Sequence, residues 1–268
     1  MVKMMDKKLI HISDLHFGEY KFDERLKNNL KFQIEYENPD LIVVAGDITA
    51  LGYQEDYNLA REFLYELNNI AETYVVPGNH DSCNVGLIHF RKLIGERRFV
   101  ATDKNEDIVL IGLDSSEPDI HDGKIGFDQI EWLNDVLNRI PRDRFTAVTF
   151  HHHLLPIPQT GRERNILLDS GDVLKLLVNH GVNLVLNGHK HVSNAWKLDD
   201  MVILNSGTAT TNRLYGDNSP SYNKVLIDDE TITAYKIKTE TGEEKLLAHY
   251  PYEQQIHNRS KIPTIFSY

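Results

Sequence analysis

The chain has 268 residues, 41% hydrophobic and 26% charged, which suits a packed core and excludes wholesale disorder or a fibrous repeat. Lys plus Arg is 29 and Asp plus Glu is 40, so the formal charge of −11 disfavours nucleic-acid phosphate as a partner. The single cysteine, Cys83, excludes an intrachain disulfide and favours a cytoplasmic setting, and no apolar run approaches the roughly 18 residues of a membrane span.

Residues 1–8 are charged and lead straight into a strand-like run at Lys8–Ser13, with no apolar stretch of the kind a signal peptide needs. A helix is expected over 23–37, with Leu26, Leu30 and Ile34 joined by Phe32 and Tyr36 on a greasy face, and Pro39 marks the break after it. LIVVAGD reads as a central strand. The next helix spans 54–69, its core positions being Tyr57, Ala60, Phe63, Leu64 and Leu67. TYVVPGNHD and the segment 107–116 repeat the pattern of an apolar run followed by a polar turn. A helix over 127–140 presents Ile130, Leu133, Val136, Leu137 and Ile140. RFTAVTFHHH is a further strand, LDSGDVLKLLVNHG a helix stopped by Gly181, and NLVLNGHKH the last unit of this kind. Strands at 192–197, 201–205, 222–227 and 231–237 follow without intervening helices, which predicts an antiparallel section. Residues 1–240 are read as one domain and 241–268 as an extension whose order the pattern leaves open.

Five strand-then-loop units deliver polar chemistry at their C-terminal ends, the usual ligand edge of layered α/β folds. They carry Asp14 and His16, then Asp47, then Asn79, His80 and Asp81, then His151–His153, then His189 and His191. Carboxylate, imidazole and amide oxygen together suit first-row metal ions, and one cysteine argues against a thiolate site. The spacing of two in Asp14/His16 and in His189/His191 points each pair the same way on an extended segment. Asp47, with two oxygens and a central position, is the natural bridge. Asp14, His16, Asp47, Asn79, one histidine of 151–153, His189 and His191 then give four ligands to each of two ions. Ions about 3.5–4 Å apart would hold a bridging hydroxide and clamp a phosphoryl group. His80 would stabilise charge or protonate the leaving oxygen, with Asp81 orienting its ring.

Taken singly, Asp14 or Asp47 could cap a helix and His16 could be a satisfied loop histidine; their joint occurrence is what argues for a site. His89, His121 and His180 read as structural or surface groups, and His249 and His257 lie in the C-terminal segment.

Asp14-Leu15-His16, Gly46-Asp47, Gly78-Asn79-His80-Asp81, the His151 run and Gly188-His189-Lys190-His191 resemble, in order, the signature blocks of the calcineurin-like metallophosphoesterase family. The resemblance covers about residues 9–210 and implies a four-layer α/β/β/α sandwich, an α/β fold with two mixed sheets. It implies that Asp14, His16, Asp47 and His191 hold one ion. Asp47, Asn79, His189 and His151 hold the other, with His152 as the alternative because HHHLLP replaces the family's HHPP. Compact length and the stretch SGTATTNRLYGDNSPSYN are similar to the class III cyclic nucleotide phosphodiesterase branch; Arg213 and Tyr215, in the loop after the second sheet's strand, are candidates for substrate contact, with a plain surface role as the alternative. Ala50 stands where purple acid phosphatases carry a tyrosine.

The expected activity is dimetal-dependent hydrolysis of small phosphodiesters, 3′,5′-cyclic nucleotides among them, at a cytoplasmic metallophosphoesterase with no membrane association. Phosphomonoester or nucleotide pyrophosphate hydrolysis is the competing activity, and a non-catalytic binding scaffold the competing class. Mn or Fe is favoured within the Fe/Mn/Zn class, with Mg or Co chemically feasible; a homodimer is compatible with the sequence. The loop 154–168 is a candidate pocket rim whose Arg162 and Arg164 would attract a phosphorylated substrate, ordinary loop solvation being the alternative.

Overall fold

Short apolar runs that alternate their faces organise the chain into two sheets. The computed structural model describes residues 6–141, 143–158, 160, 166–214 and 218–252. The first sheet contains β1 (Lys7–Ile12), β2 (Leu41–Ala45), β3 (Glu72–Val76), β10 (Ser221–Ile227), β11 (Thr231–Lys238) and β12 (Glu244–Pro251), in the order β12-β11-β10-β1-β2-β3. The second contains β4 (Phe99–Thr102), β5 (Ile108–Gly112), β6 (Phe145–Thr149), β7 (Leu184–Asn187), β8 (Asn194–Leu198) and β9 (Met201–Asn205), in the order β4-β5-β6-β7-β9-β8. β1, β2 and β3 are parallel, as are β5, β6, β7 and β9. The remaining pairings, β1–β10, β10–β11, β11–β12, β4–β5 and β8–β9, are antiparallel.

Period-two alternation explains the four layers. On β2, Leu41 and Val43 point between the sheets, where they join Leu110, Phe145, Leu184 and Val202. Ile42 and Val44 point outward against Leu30, Ile34, Tyr57 and Phe63 of helices α1 (Glu24–Glu37) and α2 (Gln54–Asn68). The second sheet does the same: Val109, Val148 and Val185 pack against Leu133 and Leu137 of α4 (Phe127–Arg139) and Val173 and Leu177 of α5 (Ser170–His180). Both sheets are mixed, with helices on their outer faces, as the motif resemblance implied. No helix among the described residues is long and apolar enough to cross a membrane.

Several details differ from the sequence pattern. Phe32 and Tyr36 are largely exposed, because α1 buries only the narrow stripe Leu26, Leu30 and Ile34, and residues two beyond that stripe face away. The short helix α3 (Gly86–Leu93) and the four-residue strand β4 add to the elements the pattern predicts; neither offers enough turns or alternations for a periodic signal. β9 runs parallel to β7, so the C-terminal section is antiparallel in β10–β12 but not throughout. Residues 244–251 pair with β11 as the edge strand.

A buried ion pair ties the sheets at the end remote from the polar loops. Lys7 Nζ, on β1, lies 2.7 Å from Asp103 Oδ2 and 3.0 Å from Asp107 Oδ2 in the β4–β5 turn. Burial opposes ionisation of Asp103, but the Ile108 N–H and Lys7 outweigh it and hold its pKa below the usual carboxylate value. Replacing Lys7 by Met strands these carboxylates, and the expected loss is about 3 kcal/mol in urea unfolding at pH 7. The sign follows from the lowered pKa: the stabilisation is present above about pH 4 and fades as Asp103 is protonated, so wild type and K7M converge in acid.

Candidate metal centre

Every side chain singled out by the five loop units lies beyond the C-terminal end of a parallel strand, on the edge shared by both sheets. Asp14 and His16 follow β1, Asp47 follows β2, Asn79–Asp81 follow β3, His151 follows β6, and His189 and His191 follow β7. The loops are not extended there. Asp14, His16, Asp47, His189 and His191 all have left-handed backbones (φ 56, 51, 52, 79 and 55°), half of the ten such non-glycine residues among those described. Each such residue costs about 1 kcal/mol, so the paired spacing works through two tight bends around Leu15 and Lys190 rather than through an extended segment.

Backbone bonds stitch these bends together. Asp14 N–H donates to Gly46 O (3.0 Å), His16 N–H to Asp47 O (3.0 Å) and Gly188 N–H to His151 O (2.9 Å). Thr208 Oγ1 donates to Asp14 O (2.7 Å) and Thr210 Oγ1 to Leu15 O (2.6 Å), giving the SGTATTNR stretch a part in shaping the first loop. Gly78 is required by close approach: a Cβ there would sit 2.1 Å from Asp47 Oδ1.

Two acceptor clusters result, joined at Asp47. In the first, Asp14 Oδ1 faces His191 Nε2 at 3.2 Å and His16 Nε2 at 3.7 Å, and the two nitrogens are 3.0 Å apart. In the second, His151 Nε2 lies 3.1 Å from Asp47 Oδ2 and 3.3 Å from His189 Nδ1. Asp47 Oδ1 accepts the His80 N–H (2.8 Å), leaving Oδ2 facing His151 and, at 4.0 Å, His16. Carbonyl oxygens fix the rings. His151 Nδ1–H donates to Ala45 O (2.7 Å) and His191 Nδ1–H to Arg213 O, so whenever either ring is neutral its lone pair is on Nε2.

This donor set fits divalent cations. Asp14 Oδ1, His16 Nε2 and His191 Nε2 converge on one point, and a single shared proton cannot satisfy all three. Two nitrogens bound at about 2.1 Å to one ion, roughly 90° apart, sit about 3.0 Å from each other. Asn79 Oδ1 is buried without a hydrogen-bond partner. Asp14–His16–His191, His16–Asp47–His80 and Asp47–His151–His189 each bring three ligand atoms within 4.8 Å of one another.

The charges are consistent with that fit. Burial raises the cost of ionising Asp14 and Asp47, yet the imidazoles facing them hold both well below the usual carboxylate range. Burial alone would lower His151; the Asp47 carboxylate overrides it and lifts the pKa to about 9. Burial pushes His152 and His153 down to about 3.

The profile of the family described as calcineurin-like phosphoesterase matches residues 7–193. The chain belongs to this family. A probable cyclic nucleotide phosphodiesterase of Synechococcus sp. is 27% identical over 161 residues, 59% of this chain and 60% of that one. The glycerophosphodiester phosphodiesterase of Enterobacter lignolyticus is 30% identical over 201 residues, 68% of this chain and 70% of that one. Among solved structures, a purple acid phosphatase from yellow lupin seeds superposes with a TM-score of 0.73 over 94% of this chain and 55% of that one, at 12% identity, a likeness of fold. The chain thus spans less than two thirds of the cyanobacterial relative it matches.

Within this member of the family, the triple histidine divides its work. His151 faces Asp47, whereas His152 engages Ser115 Oγ through Nδ1 (2.8 Å) and His121 O through Nε2 (3.1 Å), and His153 Nε2 lies 2.7 Å from Gly188 O. The expectation that Asp81 orients His80 is corrected. His80 Nδ1 donates to Ala50 O (2.5 Å), while Asp81 accepts the N–H groups of Ile48 (3.1 Å), Thr49 (2.8 Å) and Gly78 (2.9 Å) and the Thr49 hydroxyl (2.8 Å). Asp81 turns back because the β2 and β3 loops present it with unpaired backbone donors. Burial and the neighbouring Asp47 push its pKa up to about 6 against those bonds. Arg213 Nη1 lies 3.5 Å from His80 Nε2 and 3.7 Å from Glu19 Oε1. Tyr215, Arg162 and Arg164 fall outside the described residues.

His121, expected to be structural or at the surface, places Nδ1 3.2 Å from Asn79 Nδ2. Its signal was topological, since the loop after β5 ends on the same edge as the others.

Gly78→Ala should lower both the melting temperature of the metal-free protein and, by about 10–100-fold in calorimetric titration, its Mn²⁺ affinity, because the methyl meets the Asp47 carboxylate and, at 2.5 Å, the Asp47 backbone N. Asp81→Asn, which sets an amide N–H against backbone donors, should cost about 3 kcal/mol of unfolding free energy. Full stability in D81N would dismiss its role as a loop tie.

Proposed function

We propose that this chain hydrolyses small phosphodiesters with the help of two divalent metal ions, 3′,5′-cyclic nucleotides being the first substrates to try. The observation that carries this reading is the pair of acceptor clusters sharing Asp47, with His80 and Arg213 beside them. Asp14, His16, Asp47 and His191 would hold one ion, and Asp47, Asn79, His151 and His189 the other. Bound there, the ions supply Lewis acidity toward the phosphoryl oxygens and make a water nucleophilic near neutral pH.

The chain's own groups do the rest. Asp47 sets the spacing of the donor clusters. His80, anchored through Nδ1 at Ala50 O, presents Nε2; in its protonated form it donates to the leaving oxygen, which departs as an alcohol. Arg213 offers a permanently charged fork to a non-bridging phosphoryl oxygen. Glu19 partly offsets that charge at 3.7 Å, which suits a singly charged diester better than a doubly charged monoester. The relatives named as cyclic nucleotide and glycerophosphodiester phosphodiesterases support diesters of either kind. The single cysteine supports a cytoplasmic setting for this chemistry.

Purified protein should cleave bis(4-nitrophenyl) phosphate faster than 4-nitrophenyl phosphate, lose activity to EDTA and regain it with Mn²⁺. Asn79→Ala and His191→Ala should each lower kcat by about 100-fold. Faster monoester cleavage would move the reading to a phosphomonoesterase. Uptake of two ions without cleavage of any phosphate ester would leave a binding scaffold.

A further inference from the structure

The loop joining β5 to α4 contributes no carboxylate or imidazole to the three acceptor groups, yet it is bound to two of the loops that do. Ser82 Oγ, beside the Asn79–Asp81 turn, donates to Glu117 O (2.8 Å). His152, beside His151, contacts Ser115 Oγ and His121 O through its two ring nitrogens. Gly123 passes so close that a Cβ would fall 2.1 Å from His152 Cγ. Protein contacts on both sides therefore set the position of His121, although its side chain is exposed.

That position matters because an amide has two faces. Asn79 can serve a cation only through Oδ1, since its NH₂ group carries no available lone pair. The atoms differ little in size, so shape alone does not choose between the two orientations. A partner that accepts hydrogen bonds must hold Nδ2 on the far side. His121 Nδ1, 3.2 Å from Asn79 Nδ2, is such a partner when its ring proton is on Nε2. Asn79 Oδ1 is then left buried and without a hydrogen-bond partner, free to accept.

We propose that His121 is a positioning residue that fixes the amide of Asn79 with its oxygen toward the ion shared by Asp47, His151 and His189. The inference rests on the dimetal reading above and assigns His121 a task at one of the two ions only. Without an acceptor at 121, the amide spends much of its time with Nδ2 facing the ion, and that ion loses a ligand. The Asp14–His16–His191 group is untouched.

The test is a Mn²⁺ titration of metal-stripped protein by calorimetry, on wild type, His121→Ala and His121→Gln. Ala removes the acceptor and Gln restores one through its carbonyl. Wild type should bind two ions. H121A should weaken one of them by about 10–100-fold and leave the other within twofold, and H121Q should recover most of the loss. Thermal unfolding of the metal-free proteins should agree across the series, separating positioning from a fold defect. Wild type binding two ions with H121A unchanged, or with both ions weakened alike, overturns the role of His121 and leaves the dimetal reading intact. So does an H121Q that behaves as H121A does. Wild type binding fewer than two ions overturns both.

Discussion

Asp47 divides its two oxygens between structure and chemistry, and the remainder of the centre depends on that division. Oδ1 is occupied by the His80 N–H, so the carboxylate cannot rotate freely; Oδ2 is left between His151 and His16. Gly78 gives the carboxylate room, and Asp81 ties the β2 loop to the β3 loop so that the His80 amide stays in reach. Two neighbouring aspartates thus have opposite jobs. One presents charge to the centre, and the other buries its oxygens among backbone donors.

Backbone carbonyls control the imidazoles in the same manner. Ala45 O holds His151, Arg213 O holds His191, Gly188 O meets His153 and Ala50 O holds His80. A carbonyl can only accept, so wherever it meets a neutral ring it dictates which nitrogen keeps the proton and which keeps the lone pair. The left-handed bends at Asp14, His16, Asp47, His189 and His191 bring those carbonyls and rings into register. Local strain is the cost of gathering so many acceptors, and the buried strands beneath provide the rigidity that sustains it.

The layered fold and the gathering of these polar residues at one edge were legible in sequence because each rests on a strong local signal. Runs such as LIVVA and FTAVT read as buried strands, and the five core positions expected on α2 are all buried. The polar groups stood out because they interrupt those runs at one repeated place. The features that escaped are those set by tertiary contact. Phe32 and Tyr36 look like core residues until the width of the α1 stripe is known. Adjacency in GNHD suggested that Asp81 serves His80, but which donors surround a carboxylate depends on how two distant loops meet. His121 carries no motif, and its nearness to Asn79 arises from the packing of the β5 loop against residues 82 and 152.

The acceptors come from both halves of the sandwich. Asp14, His16, Asp47 and Asn79 extend from the first sheet, whereas His151, His189 and His191 extend from the second. A cation held by such a set clamps the two layers together, so occupancy is linked thermodynamically to their docking and not to the order of a single loop. By mass action, an ion at a hundred times its dissociation constant adds about 2.7 kcal/mol to the cohesion of the whole sandwich. With ions held by these residues, heat resistance would be a property of protein and metal supply together, and a melting temperature would have meaning only beside the concentration of free ion.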